Sequence, residues 1–186
     1  MEDNVSDSSQ ARQPIHATPL NPRRSGIIIG ASDGLGGALA RRLAREGYSL
    51  ALLARRMDKL EALCNELNTS MGAGCAYPYI HDVTKYEEVP SLLRRIVADL
   101  GSLDLAIFCA GINRPPGGID RYNFENDRQM IETNLIGAMA WLNPIAEMFR
   151  SVRVGQIVGI SSVAGDRGRV GGVVEEVHEG GAQGRV

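Results

Sequence analysis

The stretch Ile27-Ile28-Ile29-Gly30-Ala31-Ser32-Asp33-Gly34-Leu35-Gly36-Gly37 decides the fold of this chain. An apolar run leads straight into a glycine-punctuated turn, and helical periodicity begins immediately beyond it. An unbroken run of isoleucines suits a strand buried on both faces. Gly30, Gly34 and Gly36 let the backbone turn tightly and approach an anionic group closely. The helix opening at that point offers its unpaired N–H groups and positive dipole end to the same anion. Strand, glycine turn and helix in this order make a βα unit suited to a dinucleotide pyrophosphate. Ser32, Asp33 and Leu35 fill the positions between the glycines. A side chain at Gly36 is expected to intrude on the pyrophosphate.

Working outward, strands and helices alternate. Residues 25–31 read as the first strand. Leu35, Leu39 and Leu43 then repeat every four residues beside Ala40 and Ala44, with Arg41, Arg42, Arg45 and Glu46 opposite. That is an amphipathic helix, and Gly47 stops it. The pattern predicts strands over 48–54 and, more weakly, 74–80, with a helix over 58–67 between them. A helix over 86–100 carries Pro90 in its first turn, where proline is tolerated. Residues 103–110 form a near-continuous apolar strand, 127–150 a long helix kinked near Pro144, and 156–161 a fifth strand. Alternation of this kind, with strands covered on both faces, means a three-layer α/β/α Rossmann-like, doubly wound parallel sheet. Right-handed crossovers predict the strand order 3-2-1-4-5. Residues 1–24 are polar and proline-bearing and read as a disordered tail. The domain runs over 25–169, and residues 170–186 form an aberrant Gly/Glu-rich tail, so that the sheet is expected to be truncated after its fifth strand.

Bulk properties bound the partners. A chain of 186 residues, 44% hydrophobic and 23% charged, is one ordinary globular domain. With a net charge of −2, nothing in the charge balance argues for nucleic acid or an anionic membrane as a partner. The 18 arginines, against 2 lysines, are spread over helix faces rather than massed in a patch. Cys64, Cys75 and Cys109 are odd in number and lack CxxC spacing, which fits a reducing cytoplasm and no disulfide framework. There is no apolar run of spanning length or signal-core type, and no metal-ligand spacing.

Gly30-x-x-x-Gly34-x-Gly36 resembles the T-G-x-x-x-G-x-G signature of the short-chain dehydrogenase/reductase family, with Ile29 where threonine is common. Further stretches extend the resemblance in order. His81-Asp82-Val83-Thr84 is similar to the family's D-V segment, Cys109-Ala110-Gly111-Ile112 to its N-A-G motif with cysteine for asparagine, and Thr133-Asn134-Leu135 to its helix asparagine. Gly155-Gln156-Ile157-Val158-Gly159-Ile160-Ser161-Ser162 is similar to the segment that bears the active-site serine, which falls on Ser162. The resemblance covers residues 25–169. It implies an oxidoreductase interconverting a hydroxyl and a carbonyl on a small organic substrate. Asp82 and Val83 would meet the adenine, and Cys109, Ala110 and Gly111 would face the cofactor. Ser162 would polarise the substrate and Asn134 would support a proton relay. Full-length relatives are expected to be homo-oligomers. Each residue also has a plainer reading. Asp82 can cap a turn, Cys109 can be a small buried residue, Asn134 a satisfied core amide, and Ser162 the end of a strand.

Cofactor choice follows from charge. A carboxylate about 20 residues past the glycines favours NAD, and an arginine there accommodates the 2′-phosphate of NADP. The second strand ends Leu52-Leu53-Ala54-Arg55-Arg56, with no carboxylate before Asp58. A guanidinium binds phosphate through paired charge-assisted hydrogen bonds, so NADP is favoured over NAD, with Arg55 the first choice and solvated surface arginines the alternative. The family also uses a tyrosine with a lysine four residues later as its acid–base pair. No Tyr-x-x-x-Lys occurs in these 186 residues, and Glu175 and Glu179 stand near the corresponding places. Three outcomes stay open: a working NADP-dependent enzyme, a non-catalytic dinucleotide-binding or regulatory protein, and an inactive fragment with a frameshifted or alternative tail.

Overall fold

The computed structural model describes residues 24–113 and 123–162. Five strands form one sheet: β1 (Ser25–Ile29), β2 (Ser49–Ala54), β3 (Ala76–Ile80), β4 (Leu105–Phe108) and β5 (Gln156–Gly159). Every pairing is parallel, and the order is β3-β2-β1-β4-β5. The helices are α1 (Gly34–Arg45), α2 (Met57–Met71), α3 (Val89–Leu100), α4 (Phe124–Met130) and α5 (Gly137–Val152). A 3-10 turn (Tyr86–Glu88) precedes α3, and a π-helical segment (Ile131–Ile136) joins α4 to α5. The architecture and strand order are those expected from the pattern. The proposed tails over 1–24 and 170–186 lie outside the described residues, apart from Arg24.

The three central strands β1, β2 and β4 are almost wholly apolar because both of their faces are covered. Side chains alternate sides along a strand, so Ile27, Ile29, Ala51 and Leu53 pack with Ile96, Trp141, Ile145 and Phe149 on one face. Ile28, Leu50 and Leu52 pack with Ala40, Ala44, Leu60, Leu63 and Leu67 on the other. β3 carries Pro78, and among the described residues it pairs with β2 alone, so the missing N–H removes no second ladder bond. Among the described residues β5 pairs with β4 alone, and most of it is exposed.

Two local expectations are corrected. The buried face of α1 is Gly36, Gly37, Ala40 and Ala44, while Leu39 and Leu43 flank it and Leu35 is exposed. Small residues face the sheet because α1 lies close against β1, leaving no room for leucine. The helix is also irregular at a different place from the one expected: α5 runs through Pro144, and the departure from α geometry is the π segment at Ile131–Ile136. Trp141, Ile145 and Phe149 are buried at four-residue spacing around the proline and hold both sides of it to the core.

Candidate cofactor cleft

The carboxyl ends of β1, β2 and β4 and the start of α1 meet around a cleft of about 600 Å³. It lies where the strand order reverses, between the β1–α1 and β4 connections, the place where parallel sheets bind ligands. Twelve residues singled out from sequence line it together: Gly30, Ser32, Asp33, Gly34, Leu35, Gly36, Arg55, Asp82, Val83, Cys109, Ala110 and Gly111. Ser162 and Asn134 are not among the lining residues. Ile160 and Thr133, their near neighbours, are.

The glycine turn is built from backbone contacts. The N–H groups of Gly30 and Ala31 both donate to the Leu53 carbonyl, at 2.8 and 2.9 Å. Asp33 is the N-cap of α1, its Oδ1 accepting from the Gly34 N–H at 2.8 Å. The three glycines have distinct duties. Gly30 has φ +98°, and a Cβ there would lie 2.5 Å from the Ala110 nitrogen, so β4 closes directly on it. Gly36 lines the cleft and carries a second constraint besides. A Cβ there would lie 2.2 Å from the Gly30 carbonyl oxygen, so this glycine serves the packing of α1 on the end of β1. Gly34, at φ +55°, has nothing within 4 Å of its absent Cβ and is the one that keeps the cleft open.

The charged rim was only partly legible. Arg55 is exposed and lines the cleft, as does Arg56. Arg56 donates to the Ser32 hydroxyl at 3.1 Å and lies 3.5 Å from Asp33 Oδ2. Lys59 Nζ lies 2.5 Å from the same oxygen. These contacts hold the Asp33 carboxyl down to about 2, Lys59 first and the Gly34 N–H second. Sequence reading did not single out Lys59, since nothing local connects it to Asp33.

At the far wall Asp82 Oδ1 accepts from the Thr84 N–H at 3.0 Å and from its hydroxyl at 2.9 Å. The carboxylate therefore does cap its own turn while lining the cleft. Burial opposes its ionisation, but the two Thr84 bonds and the nearby Arg55 charge leave its pKa lowered. His81 is buried beneath it, edge-on to Trp141 with ring centroids 5.2 Å apart. Its Nδ1 is 3.3 Å from a Glu88 oxygen, yet neither ring nitrogen makes a well-formed hydrogen bond. Burial lowers the His81 pKa despite the Glu88 carboxylate, so the ring is neutral at pH 7.

Cys109 follows β4, half-buried, and burial pushes its thiol up to about 11. It is a packing residue with little thiolate. Asn134 sits in the π segment and clamps the backbone of one residue, on the two peptide groups that flank it: its Oδ1 accepts from the Ile112 N–H at 2.8 Å and its Nδ2 donates to the Ile112 carbonyl at 2.9 Å. Asn134 thus fixes the loop that leaves β4 beside the cleft. Ser162 follows β5, whose register continues when the Ile160 N–H donates to the Phe108 carbonyl at 2.9 Å. Glu175 and Glu179 lie outside the described residues. No group of His, Cys, Asp and Glu suited to a metal occurs among the described residues, nor does any helix long and apolar enough to cross a membrane.

The family model described as short chain dehydrogenase matches residues 25–174. An uncharacterized oxidoreductase of Myxococcus xanthus is 36% identical over 149 residues, covering 80% of this chain and 57% of that protein. Among solved structures, ElxO with NADP bound superimposes with a TM-score of 0.79 at 25% identity, covering 86% of this chain and 64% of the other. NAD+-bound xylitol dehydrogenase superimposes at 0.80 with 26% identity, covering 86% and 60%. The chain spans about 57–64% of the length of these relatives. Five parallel strands in the order 3-2-1-4-5, a glycine turn against a cleft at the sheet's switch point, and a family match over residues 25–174 agree, and the chain belongs to the short-chain dehydrogenase family.

Proposed function

We propose that the cleft binds a nicotinamide dinucleotide, NADP(H) in preference to NAD(H), for an oxidoreductase acting between a hydroxyl and a carbonyl on a small molecule. The observation that carries this reading is the convergence of the twelve residues on one cleft with arginines at the rim where β2 ends. Gly30, Gly34 and the N-terminus of α1 would hold the pyrophosphate, with Gly36 seating the helix. Asp82 and Val83 would meet the adenine, and Arg55 with Arg56 the 2′-phosphate. Cys109, Ala110 and Gly111 would flank the nicotinamide ribose. The relatives bear both cofactors, NADP in ElxO and NAD+ in the xylitol dehydrogenase, so the preference rests on the arginines and on the lack of a carboxylate at the end of β2. Bound there, the nicotinamide supplies hydride chemistry. Ser162 would polarise the substrate oxygen, and Asn134 would support proton supply by holding the Ile112 loop. A cytoplasmic location and homo-oligomerisation belong to the same proposal.

A second reading is favoured by one fact: no Tyr-x-x-x-Lys occurs in these 186 residues. Hydride delivery to a carbonyl leaves an alkoxide that needs a proton, and a positioned acid contributes roughly 10²–10⁴ in rate. On this reading the chain binds dinucleotide without turnover. Titration with NADPH and NADH, paired with NADPH oxidation in the presence of aldehydes, ketones and quinones, separates the two. Binding with turnover that Ser162→Ala removes supports the enzyme, and binding without turnover supports the second reading. Binding of neither cofactor refutes both.

A further inference from the structure

Four charged side chains meet at the rim of the cleft beyond the end of β2: Arg55, Arg56, Lys59 and Asp33. Asp33 Oδ2 lies 2.5 Å from Lys59 Nζ and 3.5 Å from Arg56. Arg56 meanwhile donates to the Ser32 hydroxyl at 3.1 Å. Three cations outnumber the Asp33 carboxylate here, and the group stays positive even with Asp82 near Arg55 across the cleft. A phosphate monoester carries about −1.5 to −2 at pH 7, so it is attracted here. Asp33 is the complication. A carboxylate in the glycine turn both competes for Arg56 and repels an incoming phosphate. Lys59, in the first turn of α2, takes the shorter contact with that carboxylate and is far from it in sequence.

We propose that the Lys59–Asp33 pair sets the preference between 2′-phosphorylated and unphosphorylated dinucleotide. Lys59 is a positioning residue: it neutralises Asp33 and leaves the Arg56 guanidinium and the Ser32 hydroxyl to the 2′-phosphate. This rests on the dinucleotide reading of the cleft. A 2′-hydroxyl carries no charge, so the pair acts on NADPH and leaves NADH nearly indifferent. Asp33 is retained despite its charge because it caps α1 through the Gly34 N–H, a role that asparagine fills equally well.

The test is fluorescence or calorimetric titration of the full chain with NADPH and with NADH, comparing wild type, Lys59→Met, Asp33→Asn and the double variant. Lys59→Met is expected to weaken NADPH about 3- to 10-fold, the range for a doubly charged ligand near one exposed charge, with NADH changed less than about 2-fold. Asp33→Asn in the Lys59→Met background is expected to restore NADPH affinity to the wild-type level or tighter. Raising the salt concentration should shrink both effects together. Equal weakening of the two cofactors, as a merely structural lysine would give, overturns the proposal. So does an NADPH loss that Asp33→Asn fails to rescue. If wild type binds neither cofactor, the dinucleotide reading falls and the proposal with it, a result distinct from either pattern above.

Discussion

Replacing Gly36 by alanine is expected to damage the fold before it touches any ligand. The new Cβ would sit 2.2 Å from the Gly30 carbonyl oxygen, 3.0 Å from its carbon and 3.1 Å from the Ala31 Cα. That first distance is about 1 Å short of ordinary contact. All three atoms are backbone, and the Gly30 and Ala31 N–H groups are pinned to the Leu53 carbonyl, so no side chain can swing aside. The helix must move off β1, which loosens Ala40 and Ala44 from Ile28. Overpacking of this kind costs about 1–3 kcal/mol, and more where only backbone can yield. We take about 3 kcal/mol, which for a chain of this length lowers Tm by roughly 6–12 °C. Gly34→Ala is the control. Nothing lies within 4 Å of its Cβ, so it bears only the left-handed backbone term, about 1–2 kcal/mol, while placing a methyl group in the cleft. It should melt above Gly36→Ala and yet lose NADPH affinity by at least about 10-fold, since the backbone can no longer reach the pyrophosphate. Circular dichroism melts and NADPH titration of both variants test this. A Gly36→Ala protein melting within about 2 °C of wild type would refute the packing argument.

Other outcomes follow from the same geometry. Asn134→Ala removes both bonds to the Ile112 backbone; unpairing this part-buried N–H and C=O should destabilise by about 1–3 kcal/mol, read as a lower denaturant midpoint, and an unchanged midpoint counts against the clamp. His81 has a folded-state pKa below its unfolded value, so its contribution is present above about pH 6.5 and lost as pH falls below it, with a slope of at most about 1.4 kcal/mol per pH unit. Thermal melts at pH 7.5 and 5.5 should show a stability drop that shrinks in His81→Gln, and identical pH dependence in the two proteins would refute it. Cys109, with its thiol pushed up to about 11, should react with a thiol reagent at neutral pH far more slowly than free cysteine. Rapid modification of that residue, located by mass spectrometry, would contradict the burial argument. Arg56→Ala should lower NADPH affinity more than NADH affinity, and equal losses in a titration would remove it from the phosphate set.

The sequence by itself determined whatever is written locally. The isoleucine run, the glycine turn and the Ala40–Ala44 helix lie within 20 residues of chain, so their order alone specified the βα unit. Once strands alternate with helices and are covered on both faces, right-handed crossovers leave few orders for the sheet, and 3-2-1-4-5 could be read before any coordinates. The residues of the glycine turn and Arg55 were recognisable because they follow a strand or open a helix, whereas Asp82, Val83, Cys109, Ala110 and Gly111 were recognisable through their resemblance to family motifs. Tertiary structure decided everything that depends on distance between elements. The closeness of α1 to β1 made Gly36 a packing residue and put glycine and alanine, rather than Leu35, on the buried face. The approach of α2 to the glycine turn joined Lys59 to Asp33, and the seating of α5 brought Trp141 onto His81. The pull of the Ile112 loop on Asn134, at the centre of the π segment, is likewise invisible to helical periodicity. Periodicity reports which face of an element is apolar. How near that face comes to its neighbour is set by side-chain volumes contributed from elsewhere in the chain, and these contacts exist only once the layers have packed.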